Sequence, residues 1–296
     1  MKTLAIITPT FNRAELLKVA FSSLINQTSK DFVWYVIDDG SRDNTLEVIE
    51  EIKKQADFEI VFRKKENGGK HSALNVAFDL VKEELILILD SDDELTENAV
   101  EMVISDYQEI KEDDSISGIG YLRCHKDKKV VGKPYTEDGI VDTFTNQRIN
   151  KNTYGDKCEV FKSKVLTQYK FPEFENENFV SEATVWCKIS LDYKMKFYNK
   201  AIYICEYQEG GLSDNVHKRL FKNPKGASSC YLSMSSKQVK LKPRLKYTIA
   251  YIVYSFAAKI KVKEQLKKVS SKFLYMLGFV PAWLIYIKKK RRYMNQ

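Results

Sequence analysis

The sequence predicts an α/β fold: a mostly parallel sheet with helices on both faces, followed by a basic amphipathic helical tail. Three observations carry this. Over about the first 90 residues, short apolar runs alternate with stretches of helical periodicity, and that alternation builds parallel sheets. The Asp- and Gly-rich segments follow the apolar runs, so they gather at the carboxyl edge of the sheet, where open α/β sheets hold ligands. From residue 237 onward the charge balance reverses.

Thr3 to Thr8 reads as a first buried strand. Pro9 stops it, and Thr10-Phe11-Asn12-Arg13 turns the chain. Leu16, Leu17, Ala20, Phe21 and Leu24 keep helical spacing. Phe32 to Ile37 is a second strand, closed by Asp38-Asp39-Gly40-Ser41, and Asp43 or Asn44 can cap a helix to about Gln55. Phe58 to Phe62 alternates as a third strand. Glu66-Asn67-Gly68-Gly69 signals a turn, and Lys70 to Val81 reads as a helix. A further amphipathic helix is expected from about 96 to 112, and Ser117 to Leu122 as a strand extending the sheet.

The fourth strand ends the segment that organises the rest, Leu85-Ile86-Leu87-Ile88-Leu89-Asp90-Ser91-Asp92-Asp93-Glu94. Five apolar residues read as a strand buried on both faces. Asp90 and Asp92, two apart, point to one side in extended backbone. Close like charges repel unless a positive group sits among them, and a hard divalent cation with oxygen ligands would serve. A solvated acidic turn or a helix start favoured by the dipole is the other account.

The composition, 44% hydrophobic and 30% charged in 296 residues, describes a globular chain. Five cysteines without a C-x-x-C pair argue against a disulfide framework or zinc ribbon and suit a reducing compartment. Met1-Lys2-Thr3 leads directly into a strand without a secretory signal, so the body is expected to be cytoplasmic. The net charge of +8 is divided: residues 237–296 hold 16 of the 48 basic residues and only Glu264 of the 40 acids, so this tail carries +15 and the remainder −7. A basic tail seeks an anionic partner. No G-x-G-x-x-G and no G-x-x-x-x-G-K-[ST] is present, which lowers the dinucleotide and P-loop readings.

Four segments in order, each at a strand end, resemble a known family: Thr8-Pro9-Thr10-Phe11-Asn12-Arg13, Asp38-Asp39-Gly40-Ser41-Arg42-Asp43-Asn44-Thr45, Asn67-Gly68-Gly69-Lys70 with Ala73-Leu74-Asn75, and Asp90-Ser91-Asp92-Asp93. Together they resemble the inverting family 2 glycosyltransferases of Rossmann-like GT-A fold, of the bacterial surface-polysaccharide type. The resemblance implies a nucleotide-sugar donor. Thr8 and Pro9 would flank the base, and Asp39 would accept from its imide N–H, favouring uridine. Lys70 would meet a phosphate or help position the base, and Asp90 would contact ribose or sugar hydroxyls. Asp92, with Asp93 close by, would hold Mn²⁺ or Mg²⁺ on the diphosphate. Thr10, Asn12, Asn67, Gly69 and Ser91 belong to the same donor-binding set. The resemblance divides the chain into a donor half (1–115), an acceptor half of the same domain (116–236) and a tail (237–296).

Farther along, Gly155-Asp156-Lys157-Cys158-Glu159 is similar to a Gly-Asp-x-x-Glu segment of that family, so Asp156 and Glu159 could bind acceptor hydroxyls; a turn and an edge strand explain them equally. An inverting transfer needs a base for the acceptor hydroxyl. Related enzymes carry an acid at a helix start here, often as Glu-Asp; this chain reads Ser181-Glu182, which implies Glu182. Ser181 as a cap and Glu182 as a dipole partner is the structural alternative. Trp186 would stack on a sugar or fill core. A loop at Gly210-Gly211-Leu212-Ser213 is expected to close over the diphosphate, with His217 or Arg219 serving there, His217 as a further metal ligand.

In the tail, the apolar stretches 247–258 and 273–287 fall short of a spanning length, and Gly278 and Pro281 interrupt the second. Flanking Lys and Arg suit an interfacial anchor on anionic lipid; a helix pair packed on the body, or a shallow re-entrant hairpin, are the other accounts. The expected partners are a UDP-sugar, a lipid-linked saccharide acceptor and an anionic membrane surface, not nucleic acid, with the protein peripheral on the inner face of the cell membrane. A processive synthase is disfavoured by the missing Q-x-x-R-W. A nucleotidyltransferase, or a non-catalytic nucleotide-sugar-binding partner protein, is the rival class.

Overall fold

A computed structural model describes residues 2–205 and 216–293. The loop expected at 210–213 therefore lies outside the described residues. The chain forms two compact units: Met1–Thr143 with Thr153–Lys170 and Asp192–Glu206, and Phe144–Asn152 with Phe171–Leu191 and Tyr207–Gln296.

The first unit holds the sheet. Its strands are β1 (Leu4–Thr10), β2 (Phe32–Asp38), β3 (Glu59–Lys64), β4 (Leu85–Ile88), β5 (Glu94–Leu95), β6 (Ile116–Cys124), β7 (Ile140–Asp142), β8 (Lys157–Lys162) and β9 (Lys194–Ile204). They lie in the order β3-β2-β1-β4-β8-β6-β9-β5, with β7 on β9. The strands of the first ninety residues pair in parallel, β1 with β2 and β4, and β2 with β3. Beyond β4 the sheet is mixed. β6 does extend it, but β8 is inserted between β4 and β6, antiparallel to both. The edge-strand account of 157–161 is thereby corrected: β8 is interior, and Val160 and Phe161 are buried. Strand periodicity reports which faces are covered and carries no information on which neighbour supplies the hydrogen bonds.

The helices α1 (Ala14–Ile25), α2 (Thr45–Gln55), α3 (Lys70–Leu80), α4 (Ala99–Gln108) and α5 (Ser163–Leu166) cover this sheet. One side gathers Leu4, Ile6, Trp34, Val36, Leu85 and Leu87 with Leu17 and Phe21 of α1, Val48 and Ile52 of α2 and Val100 and Val103 of α4. α3 lies against β1 and β2. Deleting a buried Leu in such a core costs about 2–5 kcal/mol, so the sheet is a rigid mount for the loops at its edge.

The second unit is helical: α6 (Ala183–Ile189), α7 (Val216–Lys222), α8 (Pro224–Met234), α9 (Leu241–Ala257), α10 (Val262–Lys268) and α11 (Lys272–Tyr293). Residues 237–296 are thus not a body of their own, since α9 packs on both α8 and α11. The boundary expected at 115/116 likewise falls inside the sheet-bearing unit. Gly278 and Pro281 do not break the last helix; α11 runs through both. Pro281 is exposed and removes one backbone donor. Gly278 faces α9, where an added Cβ would stand 2.9 Å from Ile249 Cγ1. Among the described residues no helix is long and apolar enough to cross a membrane.

Candidate active site

The four strand-end segments meet at the carboxyl edge of β1 to β4, and side chains join them in a closed circuit. The loop after β1 is tied to the loop after β2: Ser41 Oγ accepts from the Asn12 amide at 2.8 Å, Asn12 Oδ1 accepts from the Arg42 amide at 2.8 Å, and Asp43 accepts from the Ala14 amide at 3.1 Å. The loop after β2 is tied to that after β3 through Asp39. The loop after β3 reaches the loop after β4 where Lys70 Nζ donates to Asp90 Oδ1 at 2.5 Å. Arg13 Nη1 closes the ring by donating to Asp92 Oδ2 at 2.9 Å.

Five carboxylates on this edge face a protein cation. The pairs are Asp38–Lys64 (3.6 Å), Asp39–Lys65 (2.9 Å), Asp90–Lys70 (2.5 Å), Asp92–Arg13 (2.9 Å) and Asp93–Arg123 (3.4 Å). The repulsion that made a divalent ion the natural occupant is thus already answered by the chain's own charges. A metal here must be argued from its ligands instead.

The positions read from the sequence divide into three groups. Asp38, Asp39, Asn12 and Thr8 are engaged in structure. Asp38 is fully buried, and its Oδ1 accepts from the Ser41 amide at 2.8 Å. Asp39 is 3% exposed. Its Oδ1 accepts from Lys65 Nζ and the Gly68 amide, both at 2.9 Å, and its Oδ2 from the Gly69 amide at 2.6 Å and Asn67 Nδ2 at 3.0 Å. Four donors fill the lone-pair sites of a carboxylate, so acceptance from a base imide would require exchange of one of them. Gly40, at φ +86°, is required by the same closure, because a Cβ there would stand 2.9 Å from the Asn67 nitrogen. Thr8 Oγ1 accepts from Trp34 Nε1 at 2.9 Å in the core. Pro9 and Thr10 lie at the exit of β1, Thr10 taking the Asp39 amide on its carbonyl at 2.8 Å.

Asp90, Ser91, Asp92 and Lys70 form the second group, at the exit of β4 and the start of α3, with Ser91 buried. Burial alone would raise the Asp90 pKa, but Lys70, Arg123 and Arg13 outweigh it and hold the carboxyl below its ordinary value. Asp93 differs: it turns into the body, where Oδ2 accepts from Tyr203 Oη at 2.8 Å. Burial, and after it the Asp90 charge, pushes Asp93 up to about 7. Asp93, expected beside Asp92 at a metal, is thus held by Arg123 and Tyr203, while Asp92 is the more exposed of the two carboxylates.

The third group lies in the helical unit. Glu182 is the residue preceding α6 and caps nothing with its side chain; its carbonyl accepts from the Val185 and Trp186 amides at 2.9 and 3.1 Å. Ser181 is not the cap that the alternative reading required. Trp186 is 4% exposed and edge-on to Phe171 at 6.0 Å, so it fills core. His217 Nδ1 lies 3.1 Å from Lys289 Nζ, and burial and then Lys289 lower its pKa. An imidazole nitrogen facing an ammonium is not presented to a cation, so the Nδ1 of His217, expected as a further metal ligand, is engaged within the helical unit. Arg219 is stacked over the Phe179 ring at 4.3 Å.

Sequence reading missed three contributors. Lys65 holds Asp39, and Arg123 and Tyr203 hold the Asp90–Asp93 turn. Arg123 stacks over the Tyr203 ring at 3.8 Å, and Tyr203 Oη also accepts from the Asp90 amide at 2.9 Å. They lie on β6 and β9, far along the chain, with no local motif to mark them. Tyr203→Phe is expected to cost about 1–3 kcal/mol in urea unfolding, because it strips the Asp90 amide and the buried Asp93 carboxylate of one shared partner.

For a metal, the donor chemistry is all oxygen, from Asp92 and Asp90, which suits a hard divalent ion. Among the described residues there is no group of three or more His, Cys, Asp or Glu placed for a metal. An ion held by one or two carboxylates and completed by substrate phosphates needs no such group.

A mixed α/β sheet whose β1–β4 edge gathers paired carboxylates and cations is the architecture of the GT-A glycosyltransferases. The sequence model described as Glycosyl transferase family 2 matches residues 5–166, and the chain belongs to that family; it is a glycosyltransferase. It is 26% identical to the glycosyltransferase GlyG of Streptococcus pneumoniae over 71% of this chain and 72% of that protein. It is 30% identical to the GalNAc(5)-diNAcBac-PP-undecaprenol beta-1,3-glucosyltransferase of Campylobacter jejuni over 67% of this chain and 62% of that one. Among solved structures, residues 1–349 of S. aureus TarS in complex with UDP-GlcNAc share the fold at a TM-score of 0.65 and 19% identity, covering 98% of this chain and 81% of that chain. A Pyrobaculum calidifontis mannosyltransferase with GDP-Man and Mn²⁺ does so at 0.57 and 14%, covering 99% and 88%.

Proposed function

We propose that this chain transfers a sugar, with inversion, from a UDP-sugar to a hydroxyl of a lipid-linked saccharide in bacterial surface-polysaccharide synthesis. The observation that carries the reading is the closed circuit of four loops with its ring of carboxylate–cation pairs. It leaves cations, Lys70 and Arg13 above all, where a diphosphate can exchange with Asp90 and Asp92 for them. The UDP-GlcNAc complex of TarS supports uridine, and the undecaprenol-linked acceptor in the Campylobacter relative's name supports a lipid carrier. The site of reaction would be the inner face of the cell membrane.

In the reaction, Glu182 takes the proton of the acceptor hydroxyl as that oxygen bonds to the anomeric carbon. The bond from that carbon to the diphosphate oxygen breaks with its electron pair, and UDP leaves. Lys70 and Arg13 bind and orient the diphosphate. Asp92, supported by Asp90, would hold Mn²⁺ or Mg²⁺, which supplies neutralisation of the leaving group's charge. Asp39 keeps the 66–69 turn in place beside the base, with Pro9 and Thr10 on its other side.

Isothermal titration with UDP, GDP and CDP, each with and without Mn²⁺, tests the donor class. UDP is expected to bind in preference, and more tightly with Mn²⁺. Preference for GDP, or no binding of any nucleotide, would overturn the UDP assignment.

A further inference from the structure

The last helix has two faces, and only one is used within its unit. At about 100° per residue, Leu274, Tyr275, Gly278 and Ala282 fall on one side and are buried, the side turned to α9. On the opposite side Phe273, Met276, Leu277, Val280, Trp283 and Leu284 are 74, 71, 54, 62, 50 and 57% exposed. Exposed apolar side chains are ordinarily scattered singly, and a continuous row marks an interaction surface. Lys288, Lys289, Lys290, Arg291 and Arg292 follow on the same helix, Lys272 begins it, and no acid lies in it. Arg291, eleven residues beyond Val280, continues the row itself.

We propose that this face of α11 docks on an anionic lipid surface, the helix lying in the plane of the headgroups. Charge selects this occupant: the row ends in a cluster of five consecutive cations, which complements acidic headgroups. Phe273 and Trp283 are side chains that favour the membrane–water boundary. The helix lies on the surface instead of spanning because its apolar face is a stripe and its other face is committed to α9. The inference stands on α11 alone and goes beyond the transfer reaction, so its failure leaves the glycosyltransferase reading intact.

The test is co-sedimentation of the full chain with vesicles of phosphatidylcholine, alone or with phosphatidylglycerol, at low and high salt. Wild type is expected to partition at least about tenfold more strongly onto the anionic vesicles, and less so at high salt. Val280→Asp with Leu284→Asp, both at exposed positions, is expected to reduce partition by about tenfold or more, with circular dichroism unchanged. Should that variant misfold, glutamine at all five positions 288–292 decides instead, since it is expected to remove the salt-sensitive part of binding. Wild type remaining in the supernatant with every vesicle would overturn the proposal, as would variants that partition like wild type. A sedimentation-velocity dimer that Val280→Asp dissociates, with vesicle binding unaffected, would assign the face to a second copy and overturn it too.

Discussion

Glu182→Gln is expected to lower kcat by about 10²–10⁴-fold, the span that a positioned general base contributes, and to leave UDP affinity unchanged. The substitution keeps shape and hydrogen-bonding capacity while removing the group that accepts the proton. It also keeps the backbone carbonyl that accepts from the Val185 and Trp186 amides at the start of α6. A neighbouring acid does not offer the same chemistry: the two carboxylate oxygens of Glu177 accept from the Lys225 and Gly226 amides at 2.8 Å each and hold the start of α8. The measurement is steady-state transfer from a UDP-sugar to a lipid-linked acceptor, with UDP titration and thermal melting as controls. A variant with wild-type kcat would move the base elsewhere.

Asp92→Ala carries the second large effect. Transfer is expected to fall at least about 100-fold, since a metal's neutralisation of a leaving group supplies several kcal/mol and each 1.36 kcal/mol is tenfold. The Mn²⁺-dependent part of UDP binding should disappear with it. Stability should barely move. The Arg13–Asp92 pair that is lost is only partly buried, its side chains 31 and 17% exposed, so its loss is expected to cost nearer the about 0–1 kcal/mol of a surface pair than the cost of breaking a buried one. The contrast with Asp39 is physical: that carboxylate is buried among four donors, where removing one partner of an ion pair costs about 3–5 kcal/mol. Loss of function without loss of melting temperature therefore separates Asp92 from the scaffold around it. Transfer at the wild-type rate would remove Asp92 from the mechanism.

Tertiary packing changes the physical reasons behind the metal and membrane expectations. Clustered Asp residues at a strand exit do demand positive charge, but Lys64, Lys65, Lys70, Arg13 and Arg123 provide it. Apolar stretches in a basic tail do suggest an interface, but α9 spends its apolar surface inside the helical unit, and among the described residues it is α11 that keeps an uncovered row.

What the sequence determined by itself was the order and kind of the elements through β4, and the four loops that follow those strands. Parallel β–α units are local in sequence, handed, and marked by periodicity and turn residues, so they can be read without coordinates. Tertiary structure alone decided the insertion of β8 between β4 and β6, the continuity of α11 through Pro281, and the burial of Asp93 and Trp186. It also brought Arg123 and Tyr203, from β6 and β9, against the Asp90–Asp93 turn. Strand pairing and hydrogen bonding join residues separated by as many as 113 positions, and no local pattern encodes a partner at that distance. Which carboxylate is saturated by its neighbours and which is left for a ligand follows only when those neighbours are in place.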